Sequence, residues 1–183
     1  MTICVERVVL LRLKGRDDYM KKTKDHLPVY GIGPALCFPM AIFSTIGIWL
    51  SIKGIIPGKI ENNAVRICMI VIGILLIIEG IVLFLGADLN GKLKESIEQN
   101  RLKTDGSYKF VRNPCYCMFL LGSTGALLIA HNLILLVLPL LFYIWMTIIV
   151  IRTEEKWLTE LYGDEYKEYC KRVNRCIPWF PNR

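Results

Sequence analysis

The sequence predicts an all-α integral membrane protein of about four transmembrane helices. The last two form a tight hairpin, followed by a cytoplasmic amphipathic helical segment. Three observations carry this. The chain of 183 residues is 54% hydrophobic, with a mean hydropathy of +0.42, yet bears a net charge of +7. Its charges are segregated: 27–52 has no Asp, Glu, Lys or Arg, 67–87 has only Glu79, and 113–151 has none across 39 residues. Soluble core helices rarely exceed about 20 residues and usually show a polar face. The composition excludes intrinsic disorder, a collagen-like fibre and a small disulfide scaffold, and it disfavours a soluble enzyme.

The whole chain, 1–183, is read as one membrane domain. Residues 1–33 form a cytoplasmic arm in which Val5 to Leu13 is either a surface amphipathic helix or a polar arm. Charges at Glu6, Arg7, Arg12 and Lys14 argue against a cleavable signal peptide. Residues 34–87 hold two spans, Pro34–Ile52 and Ala64–Ala87, since about 20 helical residues cross a hydrocarbon core. Pro34 suits a first turn and Pro39 a kink. Lys53-Gly54 to Pro57-Gly58 is a loop, and Asp88-Leu89-Asn90-Gly91 closes the second span. Residues 88–113 are a cytoplasmic loop.

The 39-residue run would be about 58 Å long as one helix, twice what a crossing needs. His131-Asn132 is its polar break, so 114–151 divides into Pro114–Ala130 and Leu133–Ile151. Gly122-Ser123-Thr124-Gly125 gives the first arm a small-residue face for close packing. Residues 152–183 are cytoplasmic helices, broken at Gly163. Leu158, Leu161, Tyr162, Glu165, Tyr166, Tyr169 and Val173 fall on roughly one face, and Trp179 and Phe180 suit the interface. Counting Lys and Arg by loop gives seven in the arm, two in 53–63, six in 88–113, none at the hairpin turn and seven from Arg152 onward. The positive-inside rule therefore places both termini in the cytoplasm. No nucleic-acid-binding motif accompanies the positive charge.

Seven scattered cysteines, with Cys115 and Cys117 lacking a second ligand pair, argue against a metal site. His26 and His131 are read as bystanders. Gly31-Ile32-Gly33-Pro34 is too short for a dinucleotide fingerprint. Glu79, ionisable in mid-span, is read as a polar contact to Ser123, Thr124 or Thr147, or as lining an acceptor tunnel.

Two polar segments flank the hairpin. The first runs Thr104-Asp105-Gly106-Ser107-Tyr108-Lys109-Phe110-Val111-Arg112-Asn113-Pro114-Cys115-Tyr116. The second runs Arg152-Thr153-Glu154-Glu155-Lys156-Trp157-Leu158, then Tyr162-Gly163-Asp164-Glu165-Tyr166-Lys167-Glu168-Tyr169, with Ile177-Pro178 closing it. Snorkelling would account for Arg112 alone, but not for Asn, Pro and two Tyr grouped around it. Adjacent carboxylates at a span end make a local negative site.

These motifs resemble the isoprenylcysteine carboxyl methyltransferase and phospholipid methyltransferase family of integral membrane enzymes. The likeness covers about residues 100–181. It implies S-adenosylmethionine as cofactor and a lipophilic acceptor entering from the bilayer, with membrane lipids around it and neither metal nor nucleic acid required. By resemblance, Arg112 and Glu154 are the catalytic residues. Tyr108, Asn113, Pro114, Tyr116, Glu155, Tyr166 and Tyr169 line the cofactor. The family's His before Pro114 is Asn113 here, and Asn cannot act as a base near neutral pH. An amine acceptor needs a base to remove its proton, whereas a carboxylate does not. The implied activity is therefore carboxyl O-methylation of an isoprenylcysteine-like substrate, with phospholipid (ethanolamine) N-methylation as the alternative. A sterol-type membrane reductase and a non-catalytic membrane protein are the readings from other classes.

Overall fold

The computed structural model describes residues 32–87 and 101–178, and within them the chain is helical. Four apolar helices come first: α1 (Gly33–Ile52), α2 (Asn63–Ala87), α3 (Pro114–Ile129) and α4 (Val137–Arg152). Two short helices follow, α5 (Glu154–Tyr162) and α6 (Asp164–Arg172). The arm up to residue 31, including His26, the 88–91 closure, Trp179 and Phe180 lie outside the described residues.

α1 starts with Pro34 in its first turn and ends where Gly54 takes a left-handed φ of 73°. Asn62 caps α2 through its side-chain oxygen, which accepts the Val65 N–H at 3.2 Å. α1, α2 and the stretch Ile134–Tyr162 are long and apolar enough to cross a membrane, whereas Pro114–Ile129 is shorter. At 16 residues, α3 spans about 24 Å. Gly73 of α2 meets Gly125 of α3 so closely that a Cβ on either would collide with the other's carbonyl oxygen. Gly80 likewise rides on Met118. The small-residue face expected of the first hairpin arm thus packs at Gly125, while Gly122 faces open space.

The core joins Leu36 and Met40 of α1, Leu120 and Leu127 of α3, and Phe142, Met146 and Val150 of α4. Cys176, downstream of α6, joins this core at the end of the bundle where α4 finishes. Phe38, Phe43, Trp49, Leu75, Val82 and Leu140 point outward, the pattern of a bundle solvated by hydrocarbon.

The hairpin turn is a hydrogen-bonded knot. Asn132 is fully buried: its Nδ2 donates to Ser51 Oγ at 2.9 Å and to the Ile56 carbonyl at 3.3 Å, and its Oδ1 accepts from the Ile134 N–H. Backbone bonds from Ile60 to His131 and from Leu133 to Gly58 clasp the 53–62 loop onto the turn. Glu79 departs from both sequence readings. It lies on an outward face of α2 and makes no hydrogen bond or ion pair with another described residue.

Candidate active site

The site forms where three pieces of backbone meet at the mouth of the hairpin, where Pro114 opens α3 and Arg152 ends α4. Gly106, at φ 58°, turns the chain into a short 3-10 segment, Gly106–Lys109, that leads to Arg112. Residues 111–113 then pair with the stretch after α6. Val111 and Asn174 form a parallel bridge, the Arg112 N–H donates to the Asn174 carbonyl at 2.8 Å, and the Asn113 N–H to that of Arg175 at 3.1 Å. Asn113 also donates its side-chain amide to the Arg175 carbonyl at 3.2 Å. In the position where the family carries His, Asn113 thus fastens two strands of the site together. Pro114 opens α3 behind it, its missing N–H being one that a first turn leaves unpaired anyway.

Arg112 is an interior side chain, 9% exposed, which excludes the snorkelling reading. Its Nη2 pairs with Glu155 Oε1 at 3.1 Å, its Nη1 donates to the Cys170 thiol, and its guanidinium carbon lies 6.0 Å from the centre of the Tyr166 ring. Its Nε is buried without a partner among the described residues. Glu155, 13% exposed, is shared: Arg175 grips it with Nε to Oε1 at 2.6 Å and Nη2 to Oε2 at 2.8 Å. That fork raises the Arg175 pKa further above its ordinary value.

Glu154 faces the other way. Its Oε1 accepts the Tyr116 hydroxyl at 2.5 Å and the Ile32 N–H, at the entry to α1, at 3.1 Å. Both bonds fall on one oxygen. The two carboxylates read from the sequence as one negative site therefore divide. Glu155 is paired with two guanidinium groups, whereas Glu154 meets only neutral donors.

Tyr166, Tyr169 and Val173 make a separate buried cluster with Leu102, Leu158 and Tyr162 around it. Burial holds the Tyr166 and Tyr169 hydroxyls above the usual phenol range, so both stay protonated. Tyr169 donates to the Tyr108 carbonyl at 2.6 Å, tying α6 to the 3-10 segment. Leu161 and Glu165, expected on the same face, are exposed. Gly163, at φ 57°, turns the chain between α5 and α6 and breaks the single helical register.

The structure gathers Arg112, Glu155, Asn113 and Tyr166 at one point, and Glu154 with Tyr116 beside it. Tyr108 and Tyr169 brace the wall. Sequence reasoning missed Arg175, Cys170 and the Ile32 N–H. Arg175 had a visible signal, the basic stretch before Ile177-Pro178. The Ile32 N–H had none, since it is a backbone group brought from 122 residues away. Among the described residues no group of His, Cys, Asp or Glu is arranged to hold a metal ion.

Comparison with known proteins covers this same region. The family model described as phospholipid methyltransferase matches residues 67–165, more than half of the chain. The chain is similar to methanethiol S-methyltransferase 1 of Bradyrhizobium diazoefficiens, with 38% identity over 79 residues, 43% of this chain and 27% of the relative. It is also similar to protein-S-isoprenylcysteine O-methyltransferase of Schizosaccharomyces pombe, with 35% identity over 80 residues, 44% of this chain and 34% of the relative. The matched stretch therefore spans about a third or less of each relative's length. No solved structure matches.

Proposed function

The chain belongs to the phospholipid methyltransferase family, and from that membership we propose that it moves a methyl group from S-adenosylmethionine to a lipophilic acceptor arriving from the bilayer. The acceptor that the site favours is a carboxylate of the isoprenylcysteine kind. One observation carries this reading. Arg112 is buried, oriented by Glu155, Cys170 and Tyr166, and its Nε donor has no partner among the described residues. A buried donor without an acceptor is costly, and a carboxylate supplies what it lacks through a charge-assisted bond.

The residues present fit the cofactor. S-adenosylmethionine, when bound, supplies an electrophilic methyl on a sulfonium. Glu154, spending one oxygen on two neutral donors, has its second oxygen available for a cationic group. The ring of Tyr116 stands between Glu154 and the start of α1, and the Tyr166 face lies beside Arg112. Such rings suit a cation or an adenine. Arg112 would hold the acceptor, the two carboxylates would fix the guanidinium and the cation, and the apolar bundle would exclude water. Opposite charges neutralise as a carboxylate takes up the methyl, so a dry, oriented site supplies the catalysis and no base is required. Asn113, committed to the Arg175 carbonyl, suits a reaction in which no proton moves. The distribution of Lys and Arg supports a topology with both termini in the cytoplasm.

A second reading, N-methylation of a phospholipid amine, is favoured by the description of the family itself. A relative named for methanethiol extends the range of acceptors to sulfur. The experiment is to incubate purified protein with methyl-labelled cofactor and a total lipid-plus-protein extract. Label released as methanol by mild base marks a carboxyl ester and supports the first reading. Base-stable label in phospholipid supports the second. Absence of any transfer, with no cofactor binding by calorimetry to monodisperse protein, overturns both.

A further inference from the structure

The outward side of α2 carries one residue that hydrocarbon does not solvate. Glu79 is exposed, eight residues or about 12 Å from the Ala87 end of the helix. Its neighbour Gly80 rides on Met118, so the carboxyl lies well inside the span. It makes no hydrogen bond or ion pair with another described residue. The spans bring no base to it either: 67–87 holds no other charged residue, and 27–52 and 113–151 hold none. An ionisable side chain at that depth is costly in a bilayer, where no water satisfies it.

The surface around Glu79 has the spacing of a helix seam. Cys68, Ile72, Leu75, Glu79 and Val82 follow one another at alternating steps of four and three residues. At about 100° per residue they fall within roughly 80° of arc. All five are exposed. The line of Gly73 and Gly80 that packs on α3 is turned roughly 130° away from them, so the stripe is free of the bundle's own contacts. Apolar residues alone would be ordinary against lipid. Glu79 is what sets this stripe apart from the rest of the outward surface.

We propose that this stripe is the interface of a parallel dimer, its partner a second copy of this chain, in which Glu79 hydrogen-bonds to its own counterpart. Two copies inserted in the same orientation are related by a two-fold axis along the membrane normal. α2 then meets its copy side by side, and each residue of the seam faces itself. A carboxyl suits that arrangement. With one proton held between the two groups, one donates and the other accepts, and each supplies what the other lacks. A foreign helix would have to bring a Lys or Arg, whereas a copy needs nothing beyond the stripe itself. The same axis brings Cys68 opposite Cys68, eleven residues or about 16 Å along the helix from the carboxyl pair. The dimer stands apart from the methyl-transfer reading and does not rest on it.

The test uses the full chain in phosphatidylcholine liposomes. Energy transfer between copies labelled at the amino terminus, followed as lipid is added, reads the dimer's dissociation. Glu79→Leu is expected to weaken the dimer roughly tenfold, the upper range for one hydrogen bond between membrane helices. Glu79→Gln, whose amide both donates and accepts, is expected to keep it within about twofold. Since Glu79 bonds to no other described residue, both variants should keep the helical circular dichroism of the native chain. Oxidation with copper phenanthroline, in a chain carrying Cys4→Ala and Cys115→Ala, is expected to join two copies through Cys68, as read by mass mapping. A native chain that is monomeric at every dilution, a dimer that does not cross-link at Cys68, undiminished dimer in Glu79→Leu, or loss of the dimer in Glu79→Gln would each overturn the proposal.

Discussion

Arg175 grips Glu155 through both carboxylate oxygens, at 2.6 and 2.8 Å, and so fixes the carboxylate to which Arg112 is paired. Under the proposed function Arg175 would orient the pair that holds the acceptor without touching either substrate, and the first prediction tests that separation of roles.

Arg175→Ala is expected to lower methyl transfer about 100-fold, the usual cost of a misplacement near 1 Å in a positioned site. Arg175→Lys recovers little of it, because an ammonium cannot reproduce the planar fork. Binding of S-adenosylmethionine by calorimetry should change far less than the rate. Equal losses in binding and rate would assign Arg175 to the cofactor instead.

Glu155→Ala leaves two guanidinium groups facing each other in a mostly buried place. Breaking a buried pair by removing one partner costs about 3–5 kcal/mol. We expect a marked fall in the unfolding midpoint of the detergent-solubilised protein, larger than for Glu154→Ala, whose partners are neutral. The reverse order would show that the Glu155 cluster is not structural.

Tyr116→Phe removes the hydroxyl that donates to Glu154 and spares the ring. A hydrogen bond to a charged group contributes about 1.5–3 kcal/mol, so cofactor binding should weaken by roughly tenfold or more as Glu154 loses its orientation. Unchanged binding would separate Glu154 from the cofactor.

Gly125→Val puts a branched side chain where Gly73 presents its carbonyl oxygen. The α2–α3 contact cannot widen without parting the hairpin from the bundle. Loss of folded, monodisperse protein is expected, in contrast to substitution at Gly122.

Burial pushes the Cys176 thiol up to about 12. A raised thiol pKa means a protonated, unreactive sulfur throughout the neutral range, with thiolate appearing only as pH approaches that value. Cys176 should therefore resist a water-soluble maleimide at pH 8 in folded protein and react once the protein is unfolded. Mass mapping of the labelled peptide reads this directly.

The spans were legible because hydrocarbon imposes a simple rule: charge must leave and length must suffice. Charge segregation gives α1, α2 and the first hairpin arm to within a residue, and His131-Asn132 marks the turn; the second arm, expected from Leu133, opens with the 3-10 segment Ile134–Leu136 and becomes α-helical only at Val137. The sequence could not show that Asn132 buries itself and clasps Ser51, because that depends on which loop lies opposite. In the site, motif spacing brings Arg112, Asn113, Glu154 and Glu155 together. It does not say which carboxylate faces which cation. That is decided by α5 starting at Glu154, so that successive side chains diverge by about 100° around its axis. The helical face drawn through Leu161 and Glu165 failed for a local reason, the left-handed turn at Gly163.

The pairing of Arg112 and Asn113 with Asn174 and Arg175 also orders events in time. A ribosome delivers the hairpin, then α5 and α6, before it delivers the residues that suture them to the hairpin mouth. The spans can thus be in place while the proposed site is still open, and that site closes only when Asn174 to Cys176 arrive. A nascent chain halted after Arg172 would be a fully threaded bundle without the Arg175 fork, the Asn113 tether or the Cys176 plug.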